Sequence, residues 1–171
     1  MSVERIISGD EVHLPQGLPG LPKGWEGAFV FDPNLENTAH PSEDVLAWLI
    51  SNQWALLMVL DGVTKGKPGS PSANYNSGPV AIRFAKEAMT YARPHLEAST
   101  SFDLWQMHEH AGSRIQSARQ SEETMPEGGL VGVSTLLLPD GQVRMHRFGD
   151  PEPALSTDPQ NPERLEVPKE L

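Results

Sequence analysis

Cysteine is absent from the 171 residues, which removes disulfides, thiolate metal sites and cysteine nucleophiles and leaves oxygen-rich, hard-cation chemistry open. Basic residues are scarce. Thirteen Lys+Arg stand against 23 Asp+Glu, a net charge of -10, and a field of that sign repels phosphate backbones and anionic membrane surfaces. Neither a nucleic-acid partner nor a membrane partner is expected. Long apolar runs are missing too: none approaches the roughly 20 residues that span a bilayer. The opening MSVERIISGDEVHLP carries acids where a signal peptide needs a basic region. The expectation is a soluble, unexported protein, with the cytoplasm as its compartment. A chain of this size suits one domain with a single core.

Proline and glycine number 16 and 15 and gather at the two ends and in a central loop. The segment EVHLPQGLPGLPKGWEG, residues 11 to 27, is punctuated by both. Residues 1 to 26 therefore read as an irregular arm, with Leu14, Leu18, Leu21 and Trp25 as anchors. GAFVFD is a short strand candidate. VLAWLI and WALLMVLDG, either side of Ser51-Asn52-Gln53, have the length of buried strands joined as a hairpin. After a Gly, Ser, Pro and Asn-rich loop at 63 to 79, Val80, Phe84, Ala88 and Tyr91 share one face of a helix from about Pro79 to Ala92. A second helix, about Ser101 to Ser117, turns Leu104, Met107 or His108, Ala111 and Ile115 inward. LVGVSTLLLP, Asp140-Gly141 and QVRMHRFG form the clearest hairpin signal. The tail from Pro151 holds five prolines, and residues 156 to 171 are expected to be extended or disordered. Strands, two helices, then strands describe an α+β domain with antiparallel sheet packed against helices.

Three acidic positions stand at strand ends: Glu43-Asp44, Asp61-Gly62 and Asp150. Mg²⁺ and Mn²⁺ take carboxylate and carbonyl oxygens and keep several waters, so two carboxylates suffice for one ion. The same residues also form turns. Three other candidates carry less. His108 and His110, two apart, diverge on a helix and cannot share a metal. GKPGS at 66 to 70 lacks the strand and helix that frame a phosphate loop. Ser134 and Thr135 lie in an apolar strand and read as buried structural hydroxyls.

PSED, then ALLMVLDG, a Gly-rich loop, SGPVAIRFAKEAM, a second helix and GVSTLLLPDGQVRMHRFGDPEPAL together resemble the metal-dependent type-2C (PPM-type) Ser/Thr protein phosphatases over about residues 27 to 155. That family has an acidic pair, a strand ending in Asp-Gly, a Gly-rich loop, two helices and a hairpin ending in Gly-Asp-Ser. The resemblance implies part of its two-sheet sandwich, with Asp44, Asp61 and the Gly62 carbonyl as Mg or Mn ligands and with Glu43 and Asp150 in support. The departures are equally specific. Val63-Thr64-Lys65-Gly66 replaces the family's Gly-Gly, Thr38-Ala39-His40-Pro41 stands where the family has an arginine a few residues before the acidic pair, and Pro151 follows Gly149-Asp150. The family's two C-terminal metal-binding aspartates have no counterpart.

A complete two-ion centre, which such hydrolysis requires, is therefore not expected, and no catalytic residue is assigned. The leading expectation is a phosphatase-like domain degraded in catalysis, a pseudophosphatase or binding module holding one ion weakly and meeting a phosphoprotein. One alternative is an active phosphoserine/phosphothreonine phosphatase completed by a partner or by ligands such as Asp32 or Asp150. The other is a structural or interaction protein without metal. A sheet lacking its second layer needs cover, either from the arm or from another copy in a homodimer.

Overall fold

The computed structural model describes residues 2–9, 16–29, 42–63, 77–121 and 128–149, together with two short paired backbone segments near the C-terminus. Its centre is an antiparallel five-stranded sheet. The strands are β1 (Val3–Ser8), β4 (Val45–Ser51), β5 (Trp54–Val63), β6 (Gly129–Leu137) and β7 (Val143–Phe148), hydrogen-bonded in the order β1-β4-β5-β6-β7. Between β1 and β4, Gln16–Gly17 (β2) pairs with Ala28–Phe29 (β3). Ala154–Leu155 (β8) and Glu163–Arg164 (β9) form a separate pair. Helices α1 (Ser77–Glu97) and α2 (Leu104–Ser121) connect β5 to β6. The class is thus α+β, and among the described residues no helix is long and apolar enough to cross a membrane.

Both hairpins follow from turn chemistry. Asn52 and Gln53 take φ of 49° and 68°, the two positive values that a two-residue type I′ connection demands. Beyond β6, Leu138 N–H donates to the Gln142 carbonyl at 2.9 Å, which makes Pro139-Asp140-Gly141 a three-residue loop. Gly141 occupies its left-handed position at φ 84°, so the hairpin read from Asp-Gly carries one loop residue more than the shortest form. Asp103 caps α2 by accepting from the Trp105 N–H at 2.7 Å. α1 runs a turn beyond Ala92, through Pro94. It ends where Thr100 N–H reaches the His95 carbonyl and Ser99 N–H the Leu96 carbonyl, with Ser99 left-handed at φ 53°.

The sheet has two unlike faces. Alternation sends Val45, Ala47 and Leu49 of β4, Leu56, Met58 and Leu60 of β5, and Leu136 of β6 toward the helices, where they meet Val80, Phe84, Ala88, Met107 and Ala111 in the main core. The opposite face holds Ile7, Leu46, Trp48, Ile50, Ala55 and Leu137, and Leu18, Leu21, Trp25 and Phe29 pack over it. Residues 16–29 therefore supply cover from within the chain, as three of the four anchor positions suggested; Leu14 lies outside the described residues. The cover is partial: Val59 is 60 % exposed and Val63 44 %. One expectation needs correcting. Val3–Ser8, inside the arm read as irregular, is a strand paired with β4 along its whole length.

Candidate functional site

The ladder between β4 and β5 decides where the acidic residues go. Val45 lies opposite Leu60, and one step outward the Gly62 N–H donates to the Glu43 carbonyl at 3.1 Å, so the pairing continues past the end of β4. Asp44 then falls opposite Asp61 as a non-hydrogen-bonded pair, the kind whose side chains approach most closely. Their carboxyl groups are hydrogen-bonded to each other. Because Leu60 faces the helices, both aspartates face the other way, onto the partly covered side of the sheet.

Glu43 and Gly62, one position out of phase with the aspartates, face the helices. Glu43 Oε1 accepts from the Ser77 N–H, the first of α1, at 2.7 Å, where a carboxylate satisfies an orphan amide and complements the helix dipole. Ser77 in turn donates its hydroxyl to the Val63 carbonyl at 2.7 Å. A Cβ on Gly62 would stand 2.8 Å from the Cβ atoms of both Glu43 and Ser77, so glycine is what lets the start of α1 seat against β5. In an antiparallel ladder a residue's N–H and C=O point to the same neighbour. The Gly62 carbonyl therefore lies in the sheet plane on the Glu43 side, apart from the face that carries the aspartates.

Partial burial lifts Asp44 above the ordinary carboxylate range, the hydrogen bond from Asp61 works against the rise, and the neighbouring Glu43 charge adds to it. Two carboxyl groups in mutual contact present oxygens of the kind a hard cation takes. Among the described residues no three His, Asp or Glu side chains converge as metal ligands, and Asp150 and Asp32 lie outside those residues.

A second polar constellation was not anticipated from the sequence. His108 of α2 is buried; its Nε2 lies 2.7 Å from Ser134 Oγ and its Nδ1 2.8 Å from His146 Nδ1. Phe84 and Phe148 flank the ring. Burial and then the charge of His146 push His108 down to about 3, so it is neutral near pH 7 and one of its nitrogens accepts while the other donates. The chain of contacts imitates a Ser-His relay, yet Ser134 is fully buried, so its hydroxyl meets no substrate and the group serves the core. Ser134 and His146 are cross-strand partners, a register readable from the Asp140-Gly141 turn; His108 occupied one of the two helix positions read as inward-facing. His146 also borders a cleft of about 720 Å³ with Tyr91, His95, Phe102, Trp105 and Arg144. His110 contacts Tyr91 instead, consistent with the divergence expected of the two α2 histidines.

No family model, curated protein or solved structure matches the chain.

Proposed function

We propose that this chain is a type-2C phosphatase-like domain with degraded catalysis, in which Asp44 and Asp61 hold one Mg²⁺ or Mn²⁺ weakly and the domain binds a phosphorylated protein rather than hydrolysing it. One observation carries the reading: two aspartates seventeen positions apart meet carboxyl to carboxyl at the ends of adjacent strands, on the side of the sheet away from the helices. The order of hairpin, two helices and hairpin around this pair agrees with the resemblance drawn from PSED, ALLMVLDG and the closing hairpin. An ion held by the pair would supply positive charge to a phosphoryl oxygen, while the protein contributes the fixed carboxylates and the glycine that lets their strand meet α1. A second ion has no ligand set among the described residues, which is the reason for proposing binding over turnover.

Thermal unfolding with added MnCl₂ tests this. With a millimolar dissociation constant, metal at ten times that concentration stabilises the fold by about 1.4 kcal/mol, a rise of about 3–6 °C for a chain of this size. The rise should vanish in Asp61→Asn. No shift in the wild type would remove the cation, and robust Mn²⁺-dependent hydrolysis of a phosphopeptide, lost in Asp61→Asn, would favour the active-enzyme alternative.

A further inference from the structure

β1 is a terminal strand of the sheet; among the described residues nothing pairs with its outer side. The phase of its ladder is set by the Gly9 N–H, which donates to the Asp44 carbonyl at 2.9 Å. Alternation then turns the backbone groups of Val3, Arg5 and Ile7 toward β4 and those of Glu4 and Ile6 outward. The side chains of Glu4 and Ile6 stand on the helix side: Ile6 packs on the main core and Glu4 is ion-paired with Arg93 of α1. Edge strand and helix thereby enclose a groove of about 520 Å³, with Ile6 and Met89 as its apolar surface and Arg5, Lys86 and Arg93 among its lining.

Charge identifies the occupant. In a chain whose net charge is -10, the groove sets the side chains of Lys86 and Arg93 against the single anion Glu4 on its helix side. Arg5, opposite Trp48, turns its side chain to the other face. Lys86 makes no ion pair among the described residues. A second copy would bring an edge of the same sign against this one. We propose that the groove between β1 and α1 binds an extended, acidic peptide segment of another protein, which adds as a strand on the outward groups of Glu4 and Ile6 and places alternate side chains against Ile6 and Met89 while its carboxylates meet Lys86 and Arg93. Strand addition takes affinity from main-chain hydrogen bonds and selectivity from alternate side chains.

The proposal is independent of the cation reading, since the groove lies on the helix side and the aspartates on the other. It is tested on the full chain by fluorescence anisotropy with a labelled ten-residue peptide of alternating Glu and Val, beside its Lys/Val counterpart. The acidic peptide should bind, weaken as salt rises, and be indifferent to EDTA; Lys86→Glu should weaken it about fivefold. Glu4 separates strand addition from charge alone. Glu4→Gln releases Arg93 and should tighten binding. Glu4→Pro releases Arg93 equally but removes an outward N–H, at an edge where proline is tolerated, and should abolish binding while circular dichroism shows the fold intact. Equal binding of the Lys/Val peptide, or tighter binding in Glu4→Pro, overturns strand addition of an acidic segment; so does a dimer in sedimentation that Glu4→Pro converts to monomer, which would assign the edge to a second copy.

Discussion

Acidification should reveal His108 as a neutral, buried histidine on which the core depends. Its proton affinity is lowered to about 3 when folded, against an ordinary value of 6.5. The unfolded chain therefore takes up the proton first, and the stability linked to this residue is complete above about pH 6.5 and is lost as pH falls toward 3. At pH 5 the unfolded chain holds about one proton more at this site than the folded chain, so stability falls by about 1.4 kcal/mol per pH unit there, about 2 kcal/mol in all relative to neutral pH. Against total stabilities of about 5–15 kcal/mol, that is a large share. Urea unfolding at pH 7.5, 6 and 5 measures it, and the same series in His108→Gln separates this residue from every other titrating group. His108→Gln loses packing and starts from a lower stability, but its decline between pH 7.5 and 5 should be shallower than the wild type's by about 2 kcal/mol. Parallel declines would show that His108 is not held neutral, and that the contacts to Ser134 Oγ at 2.7 Å and His146 Nδ1 at 2.8 Å do not persist in solution.

Asp44 has the opposite sign. Its folded proton affinity is raised, so its contribution is favourable below its unfolded value and is lost as pH rises through the folded one; Asp44→Asn should stabilise the protein at pH 7 by less than about 1 kcal/mol, since solvent screens the exposed part, and the gain should shrink near pH 3.5 in chemical denaturation. Glu43→Gln weakens and Glu43→Ala deletes the carboxylate that accepts from Ser77 N–H; the alanine variant should lose about 1 kcal/mol by the same assay, with the Mn²⁺-induced rise in melting temperature retained.

Strand and helix existence was legible wherever a long run kept one period. β4 and β5 read as apolar runs either side of a polar turn, and α1 and α2 as 3.6-residue stripes, because each buries one side against a common core. β1 was not legible. VERIIS is short, only Ile7 is buried in it, and it precedes a stretch dense in proline and glycine, so its strand character comes from pairing with β4 rather than from its own pattern. α1 ran past its expected end because Pro94 leads into the closing turn. Asp44 and Asp61 were foreseeable as a pair because a hairpin of fixed turn length has a fixed register. The His108 group was not, since it joins a helix to a hairpin and tertiary packing alone decides which helix residue meets which strand.

The four residues Glu43, Asp44, Asp61 and Gly62 divide into two kinds, and the division bears on function. Glu43 and Gly62 face the helices and are accounted for by packing: one caps α1, the other leaves the 2.8 Å gap that the first turn of α1 occupies. Gly62→Ala should consequently cost about 1–3 kcal/mol, the penalty of forcing a methyl group into filled space, measured by urea unfolding; a neutral effect would mean that α1 does not seat against β5 as described. Asp44 and Asp61 face the other side of the sheet, away from α1. Partial burial raises the proton affinity of Asp44, so holding its carboxylate charged beside Asp61 costs stability. On the proposed reading, a bound cation offsets that cost. Gly62→Ala and Asp61→Asn should therefore move in opposite directions: the first lowering stability with or without Mn²⁺, the second raising it in EDTA and abolishing the response to Mn²⁺.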